Sequence, residues 1–401
     1  MICRSNSIAR IFVGLTLLAG AACLSLAPNA VAQVPRSNHV YIVAEENHSY
    51  EHIVGSKYMP YLNSLLAKGA TATQFYANMH GSLENYLVVT SGQYLTHNNE
   101  TTAVFNVDNI ERHLLTHGKT FKSYAETLPS TGYTGLYSGY YVKRHAPLPY
   151  YTDMAKSSLI SQHQPLTHLA TDITNNTMPN FGFITPNLLD DMHNCPNGLT
   201  PCLQTADNWL KTHIAPLLAR PEFQPGGDGV LIIWADEADL STDNRCSATV
   251  LTGCGGHILV AMIGPQIKAG YKSVSTYHHQ SVLRTILELL GEETSFPSAA
   301  QTAPDMAEFF KASTSSTGVV KITAPSTSTV AGSPVHLAAS TAAPNPITAM
   351  RIYVDNVSKY VGSSSSVDAM IAMPTGTHNV VFQAWDSKGN VYKASKAVSV
   401  Q

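Results

Sequence analysis

Two apolar runs in this chain end abruptly in acid. His39-Val40-Tyr41-Ile42-Val43 breaks into Glu45-Glu46-Asn47-His48-Ser49, and Val230-Leu231-Ile232-Ile233-Trp234 breaks into Asp236-Glu237-Ala238-Asp239. Continuous β-branched and aromatic runs mark strands buried on both faces, as in the interior of a parallel sheet. The acids therefore fall at strand ends, where open α/β sheets carry their ligand sites. Several carboxylates and an amide converging at such a crevice are costly unless something positive neutralises them, so a bound cation is expected.

Strand and helix patterns alternate through the first three quarters of the chain. Besides the strands near Val40 and at Val230 to Trp234, strands are expected at Thr73 to Tyr76, Phe181 to Ile184 and His257 to Ile263. Helical spacing runs from Met59 to Leu66 before Gly69, from Ser82 onward, and through Ile110 to His117, Thr120 to Leu128, Asn208 to Leu218 and Gln280 to Leu290. This predicts an α/β fold class: a mostly parallel sheet with helices on both faces. A short flexible linker follows at 311–318. Beyond it, Val319 to Ile322, Val335 to Ala338, Met350 to Val354, Asn379 to Trp385 and Lys393 to Val400 alternate as strands, separated by turns such as Pro344-Asn345-Pro346, Pro374-Thr375-Gly376 and Asp386-Ser387-Lys388-Gly389. The expectation is a small all-β sandwich at 319–401 after a catalytic domain at 33–310. The sandwich resembles the immunoglobulin-like modules appended to bacterial secreted proteins. With no cysteine and no cluster of catalytic residue types, it reads as a spacer or adhesion module with cell-surface or carbohydrate contact.

A net charge of −3 gives no basic footprint, so no nucleic-acid partner is indicated. Arg4 and Arg10 precede the apolar stretch Ile11 to Leu26, and Ala30-Val31-Ala32 offers a cleavage site, so residues 1–32 read as an export signal of a secreted or periplasmic protein. Lipidation at Cys23 is disfavoured by the glycine three positions before it. Four cysteines lie beyond the signal, and their closest pairings are Cys195 with Cys202 and Cys246 with Cys254. Disulfides are favoured in an oxidising compartment over a zinc-thiolate site, whose tight spacing is missing; sequence leaves the connectivity open.

Ser82 is the strongest nucleophile candidate. A strand precedes it, and Leu83, Tyr86, Leu87 and Thr90 form a helical pattern after it. A serine there is commonly a helix cap. The same position offers free amides and the positive end of the helix dipole, which favour an alkoxide and attract phosphate. A divalent cation beside Ser82 would favour ionisation of its hydroxyl.

Five segments recur in order: Glu45-Glu46-Asn47-His48-Ser49-Tyr50; His80-Gly81-Ser82-Leu83-Glu84-Asn85-Tyr86-Leu87 with Thr90-Ser91-Gly92; Phe183-Ile184-Thr185-Pro186-Asn187 with Asp190-Asp191-Met192-His193; Asp236-Glu237-Ala238-Asp239; and Gly255-Gly256-His257 with Tyr277-His278-His279 through Thr285. Together they resemble the phosphoesterase family of secreted acid phosphatases and bacterial phospholipases C, a branch of the alkaline-phosphatase-like superfold. The resemblance spans about Val40 to Leu290. It implies one divalent metal ion held by Glu46, Asn47, Asp236 and Glu237, with Ser82 as nucleophile. It further implies Asn85 as a donor to a phosphoryl oxygen, and His80, His193 and His279 as active-site histidines. The stretch Tyr141 to Pro147 also resembles a family segment, with Lys143 and His145 as its substrate-binding candidates. The family commonly has prolines where this chain has Gly81 and Glu84. Its tryptophan-aspartate junction is split here by Ala235, which leaves Glu237 and Asp239 as a fallback acid pair.

The expected activity is hydrolysis of phosphate monoesters through a phosphoserine. A protonated His279 would stabilise the transferring phosphoryl group or protonate the leaving alcohol, which fits activity on the acid side. The alternatives are a phospholipase C acting on phosphodiesters and a surface adhesin with an inactive first domain.

Overall fold

The computed structural model describes residues 34–239, 242–246, 254–292, 295–311, 319–355, 357–387 and 391–401. The signal segment 1–32, all of the linker except Lys311, and the Lys388-Gly389 part of one expected turn lie outside the described residues. In chain order the strands of the first part are β1 (Val40–Glu45), β2 (Ala70–Ala72), β3 (Phe121–Ala125), β4 (Tyr137–Ser138), β5 (Tyr141–Val142), β6 (His163–Pro165), β7 (Phe181–Thr185), β8 (Val230–Ala235), β9 (Val260–Ile263) and β10 (Tyr271–Ser273). The helices are α1 (Tyr50–Ile53), α2 (Pro60–Lys68), α3 (Ser82–Ser91), α4 (Ile110–Thr116), α5 (Thr152–Ala155), α6 (Thr167–Asn175), α7 (Leu199–Leu218) and α8 (His279–Leu290).

β4 and β5 pair as a separate hairpin, and the other eight strands form one sheet in the order β10-β2-β9-β8-β1-β7-β3-β6. Its pairs are parallel except those that β9 makes with β2 and β8, so the expected mostly parallel sheet is present with one reversed strand. Side chains alternate across a strand. Val40, Ile42 and Ala44 of β1, with Val230, Ile232 and Trp234 of β8, pack into a core shared with Tyr86 of α3, Ile110 of α4 and Leu283 of α8. Tyr41, Val43, Leu231 and Ile233 face the opposite core, with Leu62 of α2 and Leu210 of α7. Two apolar faces on one sheet explain why these strands read as unbroken hydrophobic runs. Glu45 lies opposite Ala235 in the parallel register. Extending the alternation by one residue puts Glu46 and Asp236 side by side on the α3 face and leaves Glu45 on the α7 face.

Thr120 to Leu128, expected as helix, contains strand β3. Phe121, Tyr124, Ala125 and Leu128 fall at helical spacing, but pairing with β7 on one side and β6 on the other overrides that local pattern. The polar residues of β3 are also satisfied: Lys122 Nζ donates to Asp172 at 2.7 Å, and Ser123 Oγ lies 3.0 Å from His163 Nδ1. The strand expected at Thr73 to Tyr76 falls earlier, at β2, with Phe75 and Tyr76 making only isolated bridges. The expected His257 to Ile263 strand is shortened to β9. The helix expected from Asn208 begins at Leu199.

Beyond the linker, β11 (Val319–Ala324), β12 (Thr329–Val330), β13 (Val335–Ala342), β14 (Ile347–Val354), β15 (Val357–Gly362), β16 (Ser366–Ile371), β17 (Gly376–Asp386) and β18 (Val391–Val400) form two sheets, β11-β13-β16 and β12-β18-β17-β14-β15. Leu337 and Val367 of the first sheet share a core with Ile352, Phe382 and Val398 of the second, which makes this part a β-sandwich.

Candidate active site

Ser82 is the first helical residue of α3, with Gly81 at the cap and no side-chain cap bond. Its hydroxyl is therefore not consumed in starting the helix. Oγ instead donates to Glu46 Oε2 at 3.4 Å, across the sheet edge. Gly81 has φ of +123°, a backbone geometry that proline cannot adopt. The proline common at this position in the resembled family would break this turn. Glu84, at the other departure, pairs with His97 Nδ1 at 2.9 Å.

Glu46 is fully buried, and both of its oxygens are addressed. Tyr86 OH donates to Oε1 at 2.5 Å, and His145 Nε2 lies 3.4 Å from the same oxygen. The His145 ring stacks on Tyr86 at 5.3 Å, and its Nδ1 lies 3.2 Å from Asp191 Oδ2. A neutral ring that donates from Nδ1 to Asp191 turns the Nε2 lone pair on the Glu46 carboxylate. Two acceptors facing each other call for a cation between them. His193 adds a second imidazole: its Nδ1 is 2.9 Å from Asn194 Oδ1, and one ligand atom each from Glu46, His145 and His193 lie within 4.8 Å of one another. Burial holds both imidazoles below their ordinary pKa, which keeps them neutral.

Asp236 completes the acidic side. It is fully buried, and neither carboxylate oxygen has a hydrogen-bond partner. Burial first, then the charges of Glu46 and Glu237, push its pKa well above the usual range. Asn47 sits at φ of +39° with its buried Oδ1 also unpartnered. Glu237 Oε2 accepts from His80 Nδ1 at 2.6 Å and from the Gly81 amide at 3.1 Å. Asp239, the fallback acid, points elsewhere, to His48, His52 and the Ser49 amide. Ala235 thus ends β8 without displacing Asp236 from its place beside Glu46. These orphaned acceptors suit an oxygen-rich divalent cation site, with the imidazole nitrogens as further donors.

Several expected roles change on geometry. His279 is engaged at both nitrogens: Trp234 Nε1 donates to its Nδ1 at 2.8 Å, and its Nε2 donates to the Asp236 carbonyl at 2.8 Å. Burial pushes its pKa down to about 3, so it orients the Asp236 backbone as a neutral ring and is no proton donor. Asn85 is likewise occupied, with Nδ2 donating to Met79 O at 2.7 Å and Gly81 O at 3.3 Å. It fixes the turn before Ser82. His80 faces two acceptors, Glu237 Oε2 and, at 3.0 Å, the Asp243 carbonyl, an arrangement that suits the imidazolium. Its pKa is raised, chiefly by the Glu237 hydrogen bond. Lys143 lies over the Tyr150 ring at 4.1 Å, with burial lowering its pKa to about 8. Its neighbour Arg144 is the cation whose charge reaches Glu46, His145 and His193.

Three residues gain roles that the sequence did not single out. In the sequence Tyr86 reads as an apolar helix position, and Asp191 and Arg144 stand beside the candidates His193, Lys143 and His145. The one available signal was a polar atom on a position otherwise read as core. Asp191 bridges the site: its carbonyl accepts from the Glu46 amide at 2.8 Å, and its Oδ1 accepts from the His193 amide at 2.8 Å. Disulfides form, as favoured from the sequence, and the connectivity that the sequence left open is Cys195–Cys202 and Cys246–Cys254.

A serine at a helix start facing strand-end carboxylates and imidazoles, on an α/β sheet, fits a hydrolase of phosphoric esters. The chain belongs to the phosphoesterase family, whose model matches residues 56–291. The phosphatidylinositol-3-phosphatase of Mycobacterium tuberculosis is 28% identical over 264 residues, 65% of this chain and 80% of that protein. An acid phosphatase of Aspergillus fumigatus is 28% identical over 260 residues, and a probable acid phosphatase of Kluyveromyces lactis 26% over 257. The chain spans about half the length of these two fungal relatives, 54% and 56%. Among solved structures, an alkaline phosphatase superfamily protein from Vibrio parahaemolyticus superposes with a TM-score of 0.46 at 13% identity, covering 91% of this chain and 84% of that one.

Proposed function

We propose that this chain is an exported, metal-dependent phosphatase of phosphate monoesters that works through a phosphoserine at Ser82, with the catalytic domain at 33–310 and the sandwich at 319–401 as an accessory module. The observation that carries the reading is Glu46: one oxygen accepts from Ser82, the other is shared by Tyr86 and faces His145, and partnerless Asp236 stands beside it. Glu46, Asn47, Asp236 and Glu237 would hold the cation, with Glu237 steadied by His80. When bound, a divalent ion lowers the pKa of the serine hydroxyl and offsets charge on the phosphoryl oxygens.

Ser82 Oγ attacks phosphorus. The Oγ–P bond forms as the bond to the leaving oxygen breaks; the hydroxyl proton passes to Glu46, and the leaving oxygen takes a proton from solvent and departs as the alcohol. Arg144 balances charge on the phosphoryl group. Water then attacks phosphorus: its O–P bond forms as the Oγ–P bond breaks, its proton passes to the His193 Nε2 lone pair, and Ser82 Oγ takes back the proton held by Glu46 as phosphate leaves. Tyr86 and Asp191 hold Glu46 and His145 in register. The similarity to a phosphatidylinositol-3-phosphatase puts phosphorylated inositol lipids in the substrate panel. The test compares a chromogenic phosphomonoester, a chromogenic diester, phosphatidylinositol 3-phosphate and phosphatidylcholine, with and without chelator. Monoester turnover abolished by chelation supports the reading. Faster diester or phosphatidylcholine cleavage, or turnover indifferent to chelation, contradicts it.

A further inference from the structure

Next to the catalytic acids, but not used by them, lies a second group of donors. One ligand atom each from His48, His52 and Asp239 lie within 4.8 Å of one another. His48 Nδ1 is 3.0 Å from Asp239 Oδ1, and His52 Nδ1 is 2.9 Å from Oδ2. Each imidazole thus turns its Nδ1 on a different oxygen of the one carboxylate, while the other nitrogen of His48 lies 3.6 Å from the disulfide-bonded Cys195 sulfur. Two ring nitrogens converging on one carboxylate make a donor set that a divalent cation takes over by displacing the ring protons between them. Oδ2 is already served by the Ser49 amide at 2.9 Å, whereas Oδ1 has only His48.

We propose that His48, His52 and Asp239 form a second cation site, separate from the catalytic one, that takes a borderline divalent ion such as Zn2+. Two imidazoles and one carboxylate are the ligand set such an ion selects over harder cations. The disulfide sulfur borders the far nitrogen of the His48 ring, on the side away from the ion. The side chain of Asp239 is 18% exposed and that of His52 45%, so the ion has access from solvent. His52 also lines a surface cleft of about 550 Å³ together with Ser49, Glu51 and Asp243, which opens its side of the cluster to water. The site joins the turn after β1 to the turn after β8, the two turns that carry Glu46 and Asp236. Its occupant would be a clasp between the strand ends and would take no part in bond making.

The test is equilibrium dialysis of the disulfide-intact chain against Zn2+ followed by metal analysis, with thermal melting of the same samples. The wild type should retain one more equivalent than the His48→Ala/His52→Ala double variant. Glu46→Gln should keep the equivalent that the double variant loses, and zinc should raise the melting temperature of wild type and Glu46→Gln but not of the double variant. Asp239→Asn, nearly isosteric, should repeat the loss should the double variant fold poorly. Equal zinc content in wild type and these variants, or a zinc-induced melting shift unchanged by them, overturns the proposal. Turnover by the double variant is measured separately, so failure of the clasp and failure of the phosphatase reading are distinguishable.

Discussion

β1 ends in two adjacent glutamates that meet opposite fates. Glu46 turns to the α3 face and finds a serine hydroxyl, a tyrosine, two imidazoles and a second carboxylate. Glu45 turns to the α7 face, where both of its oxygens are buried without partners and the charges of Asp190 and Asp207 reach it. Burial pushes the pKa of both glutamates well up, with Asp190 and Asp207 adding to it at Glu45 and Asp191 at Glu46, so the pKa shift does not separate them and the partners do. Both faces hold clustered acids, yet among the described residues it is Glu46, on the α3 face, that meets the Ser82 hydroxyl and the His145 and His193 nitrogens. Buried carboxylates alone do not make a site; the groups that converge on them do.

The largest expected effect breaks the comparison on the active face. Ser82→Ala should lower kcat on a phosphomonoester by at least about 10³-fold with an unchanged circular dichroism spectrum, because the Tyr86 hydroxyl that shares Glu46 is fully buried, with its pKa raised by that burial, and is a poor substitute nucleophile. Next, Asp236→Asn should cost about 100-fold or more in activity and weaken retention of the catalytic metal, measured by metal analysis after dialysis. Loss of activity without loss of metal would move the cation toward Glu46, His145 and His193.

A middling effect is expected at the loop behind His193. Cys195→Ser/Cys202→Ser removes a bridge of sequence separation 7 and should cost about 2 kcal/mol in urea unfolding. The smallest effect belongs to the α7 face. Glu126 accepts from the Asn187 amide and the Trp209 indole, and burial lifts its pKa to about 7. A carboxyl raised in the folded state gives stability below its unfolded pKa near 4.5 that is lost as pH climbs through 7. Glu126→Gln should therefore leave turnover nearly unchanged while shrinking the fall in melting temperature between pH 4.5 and 7.5. A larger fall in the variant, or lost turnover, would mean that the two faces are coupled.

Much of this was legible in the chain. The unbroken runs located β1 and β8, the acids at their ends located the crevice, and the pattern after Ser82 located α3. What sequence could not give was side-chain engagement. His279 reads as a free histidine until Trp234 and the Asp236 carbonyl occupy both nitrogens, and Asn85 as a phosphate donor until the Met79 and Gly81 carbonyls take its amide hydrogens. β3 was hidden because its apolar residues happen to match helical spacing, and only pairing with β6 and β7 decides the matter. Arg144 and Lys143 are neighbours of like charge, and sequence does not show that Lys143 packs over the Tyr150 ring while Arg144 pairs with Glu100 and still reaches Glu46 through its charge.

The most direct measurement is rapid acid quench of the wild type during turnover of a phosphomonoester, followed by peptide mapping. One phosphoryl group on the peptide containing Ser82, absent from Ser82→Ala, is the expected result. Turnover with no phosphopeptide at Ser82, and a Ser82→Ala variant that retains activity, would contradict the account.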